Sequence, residues 1–162
     1  MELILWRHAE AKLGDSDEER SLSAKGRKQA LRTAAWLNAN LPENCRILVS
    51  PATRTVQTAE TLDRKFRIHP DLGPSATPET ILAAANWPLA KETVLIVGHQ
   101  PALGQIAAML LSGMRQDWRI RRGNVWWIAQ RKETPSDQSN YLRAVIAPEL
   151  IVPNLTEMRQ VT

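Results

Sequence analysis

The chain has 162 residues, 43% hydrophobic and 23% charged, the size and balance of one ordinary globular domain that buries its core without staples. Its formal charge of +4 and pI near 9.6 come from basic residues scattered among acids, so nucleic acid is not an expected partner. The single Cys45 excludes an internal disulfide framework and fits a reducing compartment, and no stretch approaches the ~20 apolar residues of a membrane span, which makes the cytoplasm the expected location.

The first element is Glu2-Leu3-Ile4-Leu5-Trp6, an apolar run too short for a helix and about right for a buried strand. It runs directly into Arg7 and His8. A chain that opens on such a strand leaves no room for a cleavable signal. Ser23 is suited to cap a helix reaching about Asn40, with Ala30, Leu31, Ala34, Ala35 and Leu37 as its apolar stripe and Pro42 as its stop. Residues 46–50 predict a second strand, followed by Pro51-Ala52-Thr53-Arg54. A helix starts there, with Pro51 in its first turn and Val56, Ala59 and Leu62 facing inward. A short extended segment near residues 66–68 leads through a loop to a short helix that begins at Pro78 and carries Ile81, Leu82 and Ala85. Residues 93–98 form a third apolar strand that ends in His99-Gln100-Pro101, and Pro101 opens an apolar helix to about Leu111. Residues 125–130 and 141–147, separated by a polar loop at 132–140, predict a hairpin.

Alternating strands and helices closed by a hairpin imply a three-layer α/β/α arrangement, a mostly parallel sheet with helices on both faces, in a single domain spanning 1–162. Ligands bind such sheets at the carboxyl ends of their strands. Arg7, His8, Arg54 and His99 are all delivered to that edge. Other features read more plainly. His8, His69 and His99 with a distant Cys45 make a poor zinc set, and His69 reads as a loop residue. There is no glycine-rich nucleotide fingerprint and no phosphate loop ending in Gly-Lys-Ser/Thr; Gly26 fits the first turn of a capped helix. Trp6 and the Trp126-Trp127 pair read as core and sheet packing. Residues 115–122, with four arginines and Trp118, read as a solvated basic loop or helix end in preference to a surface for an acidic partner.

Four strings together resemble the histidine phosphatase superfamily, above all its short phosphohistidine phosphatase branch: Trp6-Arg7-His8-Ala9-Glu10-Ala11, Arg20-Ser21-Leu22-Ser23-Ala24-Lys25-Gly26, Ser50-Pro51-Ala52-Thr53-Arg54-Thr55-Val56-Gln57-Thr58-Ala59 and Gly98-His99-Gln100-Pro101. They occur in the family's order over residues 6–101, whereas residues 102–162 match only in general pattern. Ala9 stands where the family often has glycine, which is acceptable provided residue 9 need not take a positive φ. The resemblance implies a phosphoglycerate mutase-like core and a phosphatase that needs no metal and no cofactor. It also implies roles: His8 is transiently phosphorylated, Arg7, Arg54 and His99 bind the phosphoryl oxygens, and water releases phosphate. Arg20 becomes an additional phosphate or substrate contact.

The chemistry is consistent with those roles. An imidazole attacks phosphorus only when one ring nitrogen is unprotonated, and neighbouring guanidinium groups favour that state. Alkyl phosphates also need an acid to protonate the leaving group. Residues 70–79, where larger relatives place it, offer no carboxylate in the expected position; Glu79, Asp71 and Glu10 are candidates, each read first as a solvated surface acid. Phosphohistidine leaves more readily, and the brief segment between Arg54 and His99 leaves little chain for a lid. The expected substrate is therefore phosphohistidine on a protein, such as a phosphorelay domain. The alternatives are a phosphomonoesterase for sugar or nucleotide phosphates and a non-catalytic phosphate-binding regulatory module; the intact set of His8, Arg7, Arg54 and His99 argues against the latter.

Overall fold

The computed structural model describes residues 1–14, 16–131 and 139–152. Six strands form one sheet: β1 (Glu2–Arg7), β2 (Arg46–Val49), β3 (Arg67–Ile68), β4 (Val94–Gly98), β5 (Val125–Gln130) and β6 (Asn140–Ile146). Their spatial order is β3-β2-β4-β1-β5-β6. The first four run parallel, and β5 and β6 turn antiparallel to close the far edge. The hairpin expected at the end of the sequence is present, and most of its loop, residues 132–138, lies outside the described residues.

Alternation along β1 shows how the layers are built. Leu3 and Leu5 point into one cluster with Ile81 of α3 (Pro78–Ala84) and Leu103 and Ile106 of α4 (Ala102–Ser112). Ile4 and Trp6 point into the other, with Ala34 and Leu37 of α1 (Ala24–Asn40) and Ala59 of α2 (Thr53–Glu60). A central parallel strand covered on both faces must be apolar throughout, which is why this run carries no polar alternation. Trp6 is fully buried. Its indole Nε1 still donates to the Gly123 carbonyl at 3.2 Å, so the polar end of the ring is satisfied.

Two details of the helices differ from the sequence expectation. Ser23 caps α1 as expected, accepting from the Gly26 N–H at 3.0 Å. Leu31, however, faces solvent at 51% exposure, because the buried stripe runs through Ala30, Thr33, Ala34 and Leu37. Thr33 takes the place in the stripe because its hydroxyl donates to the Gly123 carbonyl at 3.0 Å. In α2 the capping position is Ala52, so Pro51 precedes the helix and lies exposed outside its first turn. Among the described residues, no helix is long and apolar enough to cross a membrane.

Two glycines fix the loops that surround the sheet edge. A Cβ on Gly26 would stand 1.9 Å from the Glu10 carbonyl oxygen, and one on Gly104 would stand 1.7 Å from that of Trp118. Each helix is thus pressed against a loop backbone. Gly26→Ala is expected to destabilise the fold even though alanine gains about 1 kcal/mol in helix propensity, since displacing the Glu10 backbone costs roughly 1–3 kcal/mol or more. Chemical denaturation would measure the difference, and an unchanged or increased stability would show that α1 and the Glu10 segment separate freely.

Candidate active site

β2, β4 and β1 are neighbours, and their registers, Val49 opposite Val97 and Arg7 opposite Gly98, end all three at the same level. The ladder continues one step further, with the His8 N–H donating to the Gly98 carbonyl at 3.1 Å and the Ser50 N–H to that of Val97 at 3.1 Å. His8 and His99 emerge side by side, their ring centroids 5.3 Å apart and their planes 56° to one another. Both are buried. Among the described non-glycine residues only Asn86 has a positive φ, so alanine at position 9 carries no strain. The Ala9 N–H donates to Thr58 Oγ1 at 3.1 Å, and that hydroxyl donates to the Arg54 carbonyl at 2.7 Å. This chain of contacts ties the His8 segment to the helix that bears Arg54.

Hydrogen bonding determines which ring nitrogens are free. His8 Nδ1 lies 2.7 Å from the Ala9 carbonyl, an acceptor only, so Nδ1 carries the proton and the lone pair resides on Nε2. His99 Nε2 lies 2.7 Å from Ser50 Oγ, which already accepts from the Ala52 N–H at 3.2 Å. The buried Ser50 hydroxyl has no other acceptor among the described residues, so its proton is assigned to His99 Nε2 and the ring proton to Nδ1. That Nδ1 is buried and has no partner among the described residues. Burial, ahead of everything else, lowers the His8 pKa to about 4; the fields of Arg54, Arg7 and Arg122 add to it and the bond to Ala9 opposes it. The arginine effect expected from the sequence is real but secondary to desolvation. His99 is lowered to about 3, again chiefly by burial and then by His8 and Arg54, with Asp17 pulling the other way. Both rings are neutral at pH 7.

Two guanidinium groups flank the histidines. Arg54, only 3% exposed, gives its terminal nitrogens to Asp17, one to the main-chain carbonyl and the other to Oδ2 at 3.2 Å. Its Nε has no partner among the described residues. Arg7 Nη1 donates to the Ile120 carbonyl at 2.9 Å, and its Nε is also buried and unpartnered. Burial, followed by repulsion from Arg122 and Arg119, lowers its pKa to about 10, which leaves it charged. Among the described residues, three buried donor nitrogens, Arg7 Nε, Arg54 Nε and His99 Nδ1, therefore lack a partner at one sheet edge.

The remaining candidates take different positions. Arg20 approaches the cluster through Asp17, with its Nη2 3.1 Å from Asp17 Oδ1. Glu79 lies exposed on the first turn of α3 and pairs with Arg115 at 3.0 Å; no hydrogen bond or ion pair joins it to the four. Glu10 accepts from Ser23 Oγ at 2.9 Å and stands 3.8 Å from Lys25, which makes it part of the α1 cap. Asp71 lies exposed beside His69, whose Nδ1 accepts from the Asp71 N–H. The carboxylate in contact with the cluster is instead Asp17, on a 3₁₀ turn (Asp17–Glu19) in the loop before α1. The field of Arg54 holds it below the usual carboxylate range. Sequence reasoning did not single out Asp17 because nothing in its spacing marks it; only Arg54 shows where it belongs. Ser50 was quotable from its motif, but its task of setting the His99 tautomer appears only in the geometry. Among the described residues, no three His, Cys, Asp or Glu side chains gather as a metal ligand set.

Comparison with known proteins places this arrangement. A sequence profile described as histidine phosphatase superfamily (branch 1) matches residues 3–75. The phosphohistidine phosphatase SixA of Escherichia coli is 31% identical over 123 residues, covering 70% of this chain and 76% of that protein. A SixA homolog from Haemophilus influenzae is 32% identical over 127 residues, covering 68% of this chain and 77% of that protein. In three dimensions the chain is similar to a protein histidine phosphatase SixA complexed with tungstate, with a TM-score of 0.75 at 24% identity over 91% of this chain and 97% of that one. That likeness confirms the phosphoglycerate mutase-like fold expected from the four strings, and the relatives fix the lineage: this chain belongs to the histidine phosphatase superfamily, among its SixA-like members.

Proposed function

We propose that this phosphatase hydrolyses phosphohistidine on a protein, such as a phosphorelay domain, through a phosphorylated His8. The observation that carries the reading is the state of Asp17, the one carboxylate among the described residues that touches the cluster. Asp17 is held ionised on Arg54, so it is a poor proton donor, and Glu79 is engaged on the surface. A site with no poised acid among the described residues suits a substrate whose leaving group is good. The Escherichia coli relative, named a phosphohistidine phosphatase, points the same way.

In the proposed sequence His8 Nε2 attacks phosphorus, forming one N–P bond while the N–P bond to the substrate imidazole breaks. The substrate ring, already protonated on its other nitrogen, departs as neutral imidazole and needs no acid from the enzyme. Water then attacks the phosphorylated His8, yielding orthophosphate and the free ring. The phosphoryl group carries its charge on three equatorial oxygens, so fixed donors around them do most of the work. The buried N–H groups of Arg7, Arg54 and His99 are suited to receive those oxygens, and the incoming group takes the place of Asp17 on the Arg54 fork. Arg20 would hold the displaced Asp17 or bind substrate itself. No step requires a metal or a cofactor.

His8→Ala should abolish turnover, and acid-sensitive phosphate should be trapped on His8 of the wild-type protein after rapid denaturation at alkaline pH. Recovery of the label on His99 would reverse the assignment of the two rings.

Because the neutral ring is the reactive form, kcat/KM should persist as pH falls below 6.5 and be lost only near pH 4. Stability should behave differently. The unfolded histidines protonate below about 6.5 while the buried ones stay neutral, so the unfolded state binds more protons. The unfolding free energy should drop by up to about 1.4 kcal/mol per pH unit for each histidine as pH falls from 6.5 toward 4. An activity profile with its acid midpoint at 6.5 would show that His8 is not held neutral.

Rates should depend steeply on the leaving group, with phosphohistidine and aryl phosphates hydrolysed far faster than alkyl phosphates. Glu79→Gln should alter phosphohistidine turnover little, whereas a working general acid contributes about 10²–10⁴-fold. Efficient hydrolysis of a sugar phosphate that is selectively lost in Glu79→Gln would establish a small-molecule phosphatase instead.

A further inference from the structure

Beside the phosphoryl site, between α1 and the loop that enters β5, lies a cleft of about 630 Å³. Antiparallel pairing brings the start of β5 to the carboxyl end of β1, with Val125 opposite Trp6, so this loop runs alongside Arg7. The two sites share that arginine: Arg7 lines the cleft, and Arg119 and Arg122 lie near enough to depress its pKa.

Seven cations border the cleft. Two are compensated, Lys25 by Glu10 at 3.8 Å and Arg121 by Glu149 at 4.0 Å. The other five, Arg7, Lys28, Arg32, Arg119 and Arg122, have no carboxylate partner among the described residues. Like charges gathered in a concave site repel one another. The loop that carries Arg119, Arg121 and Arg122 is nevertheless held in place. The Gly123 N–H donates to the carbonyls of Arg7 and His8 at 3.0 and 3.1 Å, the Arg7 N–H donates to the Asn124 carbonyl at 3.2 Å, and the Gly123 carbonyl accepts from Trp6 and Thr33. Among the described residues the lining contains no aromatic ring and only Pro148 as an apolar wall, so they offer a nucleoside base or an acyl group nothing to pack against. The cations are also spread out. Lys25, Lys28 and Arg32 occupy two turns of one face of α1, roughly 10 Å at 1.5 Å per residue. That length suits several separate carboxylates along a peptide better than one compact polyphosphate.

We infer that this cleft receives acidic side chains of the phosphorylated partner protein, carried on the surface beside its phosphohistidine. The inference rests on the reading of the substrate as a protein. A phosphohistidine bound at His8 would present its neighbours across Arg7 to Lys28, Arg32, Arg119 and Arg122. The cleft would thereby select partners with an acidic surround.

Two synthetic phosphohistidine peptides test this, one flanked by glutamates and the other by glutamines, together with Lys28→Ser/Arg32→Ser and an aryl phosphate that is too small to reach the cleft. The glutamate peptide should show a KM about tenfold below that of the glutamine peptide. That advantage should shrink with added salt in the wild-type protein and disappear in the double variant, with aryl phosphate turnover changed by less than about twofold. Equal KM values at low salt would overturn the inference, and the salt series decides it even if the double variant does not fold. Binding of an unphosphorylated ten-residue glutamate peptide and of inorganic tripolyphosphate is measured in parallel. Tripolyphosphate bound in the cleft with no binding of the peptide would also overturn it. Failure to hydrolyse either phosphohistidine peptide, with aryl phosphate still cleaved, would sink the substrate reading instead. The glutamate peptide then decides the cleft: binding lost in the double variant keeps it as a site for acidic protein segments, and absence of binding removes it.

Discussion

Parallel pairing of β1 with β4, Arg7 opposite Gly98, sets the two histidines of the site side by side. Side chains alternate between sheet faces, so a slip of one residue would send Leu3 and Leu5 to the α1 side and Ile4 and Trp6 to the α4 side. The two apolar clusters oppose that exchange, since Trp6 is buried in the cluster that holds Leu37, Val97 and Val125. Core packing therefore fixes the register, and the register fixes the 5.3 Å spacing of the two histidines. The precision of the site is inherited from residues that never contact a ligand.

What emerges at the strand ends is a group of buried donors with no partner among the described residues. A buried N–H without an acceptor costs about 1–3 kcal/mol, and three with no partner among the described residues occur here, on Arg7, Arg54 and His99. Natural proteins retain few such groups. Their concentration around two rings kept neutral by burial favours an incoming anion without protonating either ring. Arg7 and Arg54 provide charge, and desolvation, more than that charge, keeps His8 free of its proton. These influences act in the same direction on the ring.

The strands and their tips were legible because apolar runs of five or six residues ending in Arg-His or Gly-His leave few alternatives. The Ser23 cap was legible for the same local reason. Spatial order was not. Nothing along the chain says that β5 lies antiparallel beside β1, and without that knowledge residues 115–122 read as one basic patch. The fold divides it: Arg115 turns away to Glu79, while Arg119, Arg121 and Arg122 line the cleft with Arg7. Leu31 was assigned to the core on spacing alone, and a threonine with a buried acceptor took the inward position. Asp17 escaped notice because its place depends on a guanidinium 37 residues away. Local patterns encoded the elements, and long-range neighbours encoded the electrostatics.

The Gly123 carbonyl accepts from both Trp6 Nε1 and Thr33 Oγ1, one on the central strand and the other on α1. A loop anchored at one atom to two layers of the core has lost its freedom before any ligand arrives. Immobilising a flexible side chain or loop on association costs entropy that must come out of the binding free energy. Here the backbone share of that loss is incurred once, during folding, and offset by the burial of Trp6. What remains to be ordered on encounter is the outer part of each arginine, so contact between the charged surfaces translates into affinity with little conformational search.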